Sequence, residues 1–189
     1  RGIFGIDFVL DENTQELYIT ECNPRLLGSF PTLTMAQLQN NEPPIIAFHL
    51  LEYLNADYEV DIKSINNLMR QPKRGAQMFL HNLTGSWAKS RKSVNAGVYK
   101  LESGIMNHES GVKMRFIRPG YSLKHLRVND EFLLTDGVLQ EKSAYSPNRR
   151  LCRIITKQGV LSTDKKTLTP WAARIAEAVH EAFGLRKVR

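Results

Sequence analysis

Three residues near the start of the chain, Asp7, Glu21 and Asn23, have the types that bind a hard cation. They belong to two apolar runs, Ile3 to Leu10 and Leu17 to Cys22, or follow them directly. The intervening Asp11 to Glu16 is rich in the Asp, Asn and Thr of hairpin turns. The pattern predicts a β-hairpin. With the turn centred near Thr14, antiparallel pairing sets Asp7 opposite Glu21, Val9 opposite Ile19 and Gly5 opposite Asn23. Side chains alternate along a strand, so Asp7, Glu21 and Asn23 share one face. Opposed residues have Cβ atoms about 4.5 to 5.5 Å apart, and two like charges so placed are destabilising unless something intervenes. Mg²⁺ suits that position, because it takes oxygen ligands and is usually shared between one or two carboxylates and substrate phosphates. Taken by themselves, the same acids also fit a strand face open to water.

The string Glu21-Cys22-Asn23-Pro24-Arg25, preceded by the acid of Gly5-Ile6-Asp7-Phe8, resembles the metal-binding hairpin of the ATP-grasp superfamily. Members join a carboxylate to an amine or similar nucleophile through an acyl phosphate made from ATP. The resemblance implies that Glu21 and Asn23 hold Mg²⁺ or Mn²⁺ on the ATP phosphates, with Asp7 as a further ligand. Arg25 would then lie against the transferred phosphoryl group or the acyl phosphate, where its forked donors match phosphate oxygens. Gly28 and Ser29 resemble the substrate-side loop, although the pair also reads as a small-residue turn before a helix. ATP and a small carboxylate or amine are the implied partners. The glycine-rich loop, the phosphate-binding lysine and most of the adenine pocket of that superfamily have no counterpart here. Arg1 therefore reads as a cut end, the missing N-terminal ATP-grasp portion is a further expected partner, and the chain is expected to be an incomplete enzyme.

The composition, 42 % apolar and 24 % charged over 189 residues, is that of an ordered globular protein. No apolar run approaches the roughly 18 to 20 residues that span a bilayer, and no leader is visible, so no membrane partner is expected. The two cysteines, Cys22 and Cys152, are too few for a disulfide scaffold and suit a reducing, cytoplasmic setting. Cys22 is expected to be a small buried hydrophobe. A net charge of +7 favours anionic partners. Two basic stretches stand out, Arg70 to Arg74 and Lys89 to Lys92, the second with Trp87 beside it. Trp87 is the one aromatic near either stretch, so nucleic acid is the weaker anion and nucleotide phosphate the stronger. The oligomeric state stays open.

The remaining pattern predicts an α+β protein: the C-terminal part of an ATP-grasp fold, with a hairpin sheet and helices, followed by a mainly antiparallel β domain with a closing helix. The expected division is 1–56, a connection over 57–72, and 73–189. Helices are expected over Thr32 to Asn40, Pro43 to Asn55 and Ile62 to Met69. Ile46, Leu50, Tyr53 and Leu54 form the buried stripe of the second, with His49 a partly buried helix residue beside it. Strands are expected over Gly75 to Asn82, Ala96 to Leu101, Val112 to Ile117, Glu131 to Thr135, Val138 to Glu141 and Leu151 to Thr156, with a tight turn at Asp136-Gly137. Arg118-Pro119-Gly120-Tyr121 reads as a type II turn from which Arg118 reaches a substrate carboxylate or stands in water. Thr169 to Phe183, with a Thr cap, Pro in the first turn and Gly184 after it, is the clearest helix. Two rivals to the ligase reading are a non-catalytic binding module of the same fold and a basic nucleic-acid-binding domain.

Overall fold

Turn chemistry and apolar alternation agree at the start of the chain, and the hairpin forms there. In the computed structural model, which describes residues 2–102, 111–136 and 141–188, Asp11 Oδ1 accepts the N–H groups of Asn13 (2.8 Å) and Thr14 (3.1 Å). Gln15 takes the left-handed conformation, with φ 59°, and the Asp11 N–H donates to the Glu16 carbonyl at 3.0 Å. The turn joins β1 (Gly5–Leu10) to β2 (Leu17–Asn23) as an antiparallel pair.

Three helices follow: α1 (Phe30–Gln39), α2 (Ile45–Tyr53) and α3 (Ile62–Arg70). The first begins two residues before the expected Thr32, because Pro31 fits the first turn, where a missing N–H costs nothing. The second begins two residues after Pro43: Pro44 is its extended cap residue, and the Ile45 N–H donates to Gln37 Oε1 at 3.1 Å. Gln37, fully buried, so links the end of α1 to the start of α2. The expected stripe of α2 is not buried. Leu50, Tyr53 and Leu54 are exposed, and no residue of this helix is fully covered. Asp61 caps α3 by accepting the Ser64 N–H at 3.1 Å. Glu42, nearly buried, pairs with Lys73 Nζ at 2.8 Å, which ties the end of this part of the chain to the α1–α2 break.

The chain divides into two units, Arg1–Lys73 and Arg74–Arg189. The α3 helix, placed in a connection by the sequence, therefore belongs to the first. The second unit holds β3 (Ala76–His81), β4 (Ala88–Lys89), β5 (Gly97–Leu101), β6 (Met114–Arg118), β7 (Glu131–Thr135), β8 (Ala144–Tyr145), β9 (Arg150–Thr156), α4 (Pro170–Phe183) and β10 (Arg186–Lys187). Five strands form an antiparallel sheet of order β3-β9-β7-β5-β6, and three short ones form a second sheet, β10-β4-β8. The expected Val138 to Glu141 strand and the Asp136-Gly137 turn fall largely on 137–140, outside the described residues.

One face of the larger sheet buries Met78, Leu80, Phe132, Leu134 and Ile154 in the same core as Ile175, Val179 and Phe183 of α4. The helix starts and stops as its sequence directs: Thr169 Oγ1 accepts the Ala172 N–H at 3.2 Å, and Gly184 takes φ 54°. On the other face Val98, Leu133 and Ile155 are fully buried, as are Leu123 and Leu126 of the turn after β6. Cys152 lies in the first of these cores, and burial pushes its thiol up to about 12, so it is chemically inert. Among the described residues, no helix is long and apolar enough to cross a membrane.

Gly120 does not form the expected type II turn, since it lacks the positive φ which that geometry requires. The position needs a glycine for close approach: a Cβ there would lie 2.8 Å from Val98 Cγ2 and 3.0 Å from His125 Cβ. Arg118 is not in water either. Its guanidinium donates to both carboxylate oxygens of Glu131, at 2.9 and 2.7 Å, and to the His125 carbonyl.

The Arg127 N–H also donates to Glu131, at 2.7 Å. The Arg118 guanidinium above all, aided by the Arg127 N–H, holds the Glu131 carboxyl down at about 2. A folded-state value below the unfolded one contributes stability above the unfolded pKa, near 4.5, and loses it as pH falls through about 2. The contribution is on the order of 3 kcal/mol. The stability of the second unit, followed by tryptophan fluorescence in denaturant, is therefore expected to drop between these two pH values. Glu131→Gln should flatten that part of the profile, and a variant with the wild-type slope would contradict it.

Candidate metal and phosphate site

The register of the hairpin brings the three expected cation ligands together. Gly5 pairs with Asn23 and Asp7 with Glu21, and Asn23 Nδ2 donates to Asp7 Oδ2 at 3.1 Å. Asn23 is buried, while Asp7 and Glu21 are exposed. Among the described residues no cation pairs with either carboxylate. Two acids directly opposed without a counter-charge repel each other. Two carboxylates and an amide are a hard oxygen donor set of the kind Mg²⁺ or Mn²⁺ takes, so the residues present fit the cation that the resemblance implies.

Past Asp7 the register differs from expectation. Phe8, not Val9, faces Ile19, and Val9 faces Tyr18, because a bulge between Asp7 and Phe8 leaves Thr20 without a partner. The Thr20 hydroxyl donates to the Asp7 carbonyl at 3.1 Å, which holds the bulge beside the acid. A bulge re-aims the side chains next to it. Here it leaves the Asp7–Glu21 pair on the Asn23 side in register and shifts only the turn end of the hairpin.

The return loop is packed onto the same face. A Cβ on Gly5 would lie 2.1 Å from Leu27 Cδ1, so the absent side chain of Gly5 is the space Leu27 occupies. Gly5→Ala should therefore displace Leu27 and cost about 1 to 3 kcal/mol, the usual scale of overpacking. Faster hydrogen exchange of the β1 and β2 amides would report it. Restored protection in Gly5→Ala/Leu27→Ala is expected, and unchanged exchange in the single variant would contradict the packing.

Arg25 follows directly: its N–H donates to the Asn23 carbonyl at 2.8 Å. It is exposed and borders a cleft of about 600 Å³ with Phe4, Cys22, Leu26, His49 and Tyr53. Cys22 is thus exposed, not buried. Its side chain leaves β2 on the opposite face from Glu21 and Asn23, and that face borders the cleft. Gly28 and Ser29 are exposed just before α1. The Ser29 carbonyl accepts the Leu33 N–H at 3.0 Å, while its hydroxyl makes no cap bond. Arg118 lies in the second unit and is committed to Glu131.

His49 has a role that its sequence surroundings did not show. Its Nδ1 accepts the Ile3 N–H at 3.1 Å, and its ring lies 4.6 Å from that of Tyr53. It pins the segment leading into β1 to α2. The two are 46 residues apart, and no local pattern signals the bond.

Comparison of the chain with family models, curated proteins and solved structures returns no match.

Proposed function

We propose that this chain is the later portion of an ATP-grasp-type ligase, which joins a carboxylate to an amine or similar nucleophile at the expense of ATP through an acyl phosphate. The observation that supports the reading best is the meeting of Asp7, Glu21 and Asn23 on one strand face, with Asp7 and Asn23 hydrogen-bonded and, among the described residues, no Lys or Arg paired with the two acids. Mg²⁺ or Mn²⁺ bound there would neutralise phosphate charge on ATP. In this reading Arg25 binds the transferred phosphoryl group or the acyl phosphate, and Gly28 and Ser29 at the start of α1 orient the substrate carboxylate. Phosphoryl transfer asks the protein mainly for position and fixed positive charge, which in this reading a bound cation and Arg25 would supply together.

The reading is tested by ADP release from the full-length protein with Mg²⁺, ATP and a panel of small carboxylates, with hydroxylamine added to trap acyl phosphate as a hydroxamate. Carboxylate-dependent ADP and hydroxamate are expected. ATP binding without either product would favour the non-catalytic module. The resemblance covers neither the glycine-rich phosphate loop nor the phosphate-binding lysine of the superfamily, so the chain alone is expected to release no ADP. Substrate-dependent release from it would contradict the assignment.

A further inference from the structure

The positive charge of the chain is unevenly placed. Arg74–Arg189 holds 21 Lys and Arg against nine Asp and Glu, a net charge of +12, while Arg1–Lys73 holds five against ten. Such asymmetry between parts of a chain points to a polyanionic partner for the basic part. Within the second unit, two stretches remote in sequence meet in the β10-β4-β8 sheet. Arg186 pairs with Lys89 and Lys187 with Ala88. The Val188 N–H to Trp87 carbonyl bond (2.8 Å) extends this ladder at one end, and the Arg91 N–H to Phe183 carbonyl bond (3.1 Å) at the other. Ala88 is fully buried, so alternation sets Trp87 and Lys89 on the outer side, with Arg186 across from Lys89.

Lys92 and Lys142 adjoin the ladder, the latter through its N–H to the Ser90 carbonyl at 3.0 Å. Lys89, Arg91, Lys92, Lys142, Arg186 and Lys187 are all exposed. Among the described residues none has an ion-pair partner. Like charges opposed across a ladder, as in Lys89 and Arg186, are relieved by an anion between them. Trp87, 56 % exposed, stands in the same row. Lys92 also borders a cleft of about 490 Å³ together with Lys113, Tyr99, Phe116 and two acids, Glu102 and Glu181. The Tyr99 and Phe116 rings meet edge to face at 5.3 Å, and Phe116 is 42 % exposed.

We propose that this ladder and the cleft beside it bind single-stranded nucleic acid. The cations meet successive phosphates, Trp87 stacks on one base, and the aromatic cleft admits another. A positive track with interspersed aromatic faces is the sequence-tolerant way of holding such a strand. An acidic peptide fits less well, because β8 and β10, the open edges of the sheet, are two residues each and offer no template for an added strand. An anionic bilayer is met by protruding apolar groups, whereas Tyr99 and Phe116 line a recess. The proposal concerns the second unit and does not rest on the ligase reading.

The test is fluorescence anisotropy of a labelled oligothymidylate titrated with the chain over a range of salt concentrations. Binding should weaken linearly on a log–log plot, with a slope of about −0.7 per phosphate engaged. Lys89→Glu/Arg186→Glu should lower affinity more than about tenfold and make the slope shallower by about 1.4, two phosphates' worth. Trp87→Ala should weaken binding about tenfold with the slope unchanged, a separation that a merely structural residue would not give. Far-UV circular dichroism checks the fold, and Lys89→Gln/Arg186→Gln replaces the charge reversal if that variant unfolds. Absence of binding at low salt, or wild-type affinity in the charge variants or in Trp87→Ala, would overturn the proposal. So would Trp87-dependent binding to phosphatidylserine vesicles with the oligonucleotide left unbound, which would assign the face to a membrane.

Discussion

Glu21→Gln in the full-length protein is expected to lower kcat on the order of 10²-fold, the scale seen when one preorganised transition-state group is removed. The substitution keeps the size and planarity of the side chain and removes one negative charge from the cation site. Asp7, directly opposite in the ladder and held by Asn23 at 3.1 Å, would remain as the only carboxylate of the set. The Mg²⁺ concentration for half-maximal rate should rise accordingly. The carboxylate substrate does not touch Glu21 in this account, so its KM should change much less than kcat, the signature of an interaction realised in the transition state. Steady-state kinetics at several Mg²⁺ concentrations separates the two. A variant with near-normal kcat and unchanged Mg²⁺ dependence would remove Glu21 from the site.

A loss of similar size is expected for Arg25→Lys. The Arg25 backbone is tied to Asn23 by a 2.8 Å hydrogen bond, and the residue borders the cleft lined by Phe4, Cys22 and His49. Lysine keeps the charge and loses the planar fork, which at a phosphate is not a conservative change. In this account the fork engages oxygens whose charge develops during transfer, so kcat should fall and the KM for ATP should move little. The opposite split, a raised KM with kcat intact, would make Arg25 a ground-state binding residue only.

The hairpin was legible because its signals are local: turn formers over Asp11 to Glu16, and apolar alternation on either side. The bulge after Asp7 was not legible. It depends on where Thr20 finds a hydrogen bond, and nothing in the string marks Thr20 as the extra residue. The exposed Cys22 and the open stripe of α2 depart from expectation for a related reason, since periodicity tells which residues share a face and not what covers that face. In the second unit the long strands and α4 could be read from β-propensity and capping residues. The two-residue strands β4, β8 and β10 could not, because Ala88–Lys89 or Arg186–Lys187 carries no period of its own. Arg118 and Glu131 are 13 residues apart. Their pairing follows from strands β6 and β7 flanking β5 in the sheet, a tertiary fact that the Pro-Gly signal at Pro119 and Gly120 obscured. Gly120 serves close packing, which sequence alone does not distinguish from a turn.

Asp7, Glu21 and Asn23 are proposed to hold a divalent cation, and paramagnetic broadening by Mn²⁺ in ¹H–¹⁵N spectra of residues 1 to 189 would report even weak binding there. Low Mn²⁺ is expected to broaden selectively the amides of Gly5 to Phe8, Glu21 to Asn23 and Leu27. Mg²⁺ should compete, and Asp7→Asn or Glu21→Gln should abolish the pattern while the spectrum stays folded. Broadening centred elsewhere, or a pattern at the hairpin that persists in both variants, would contradict it.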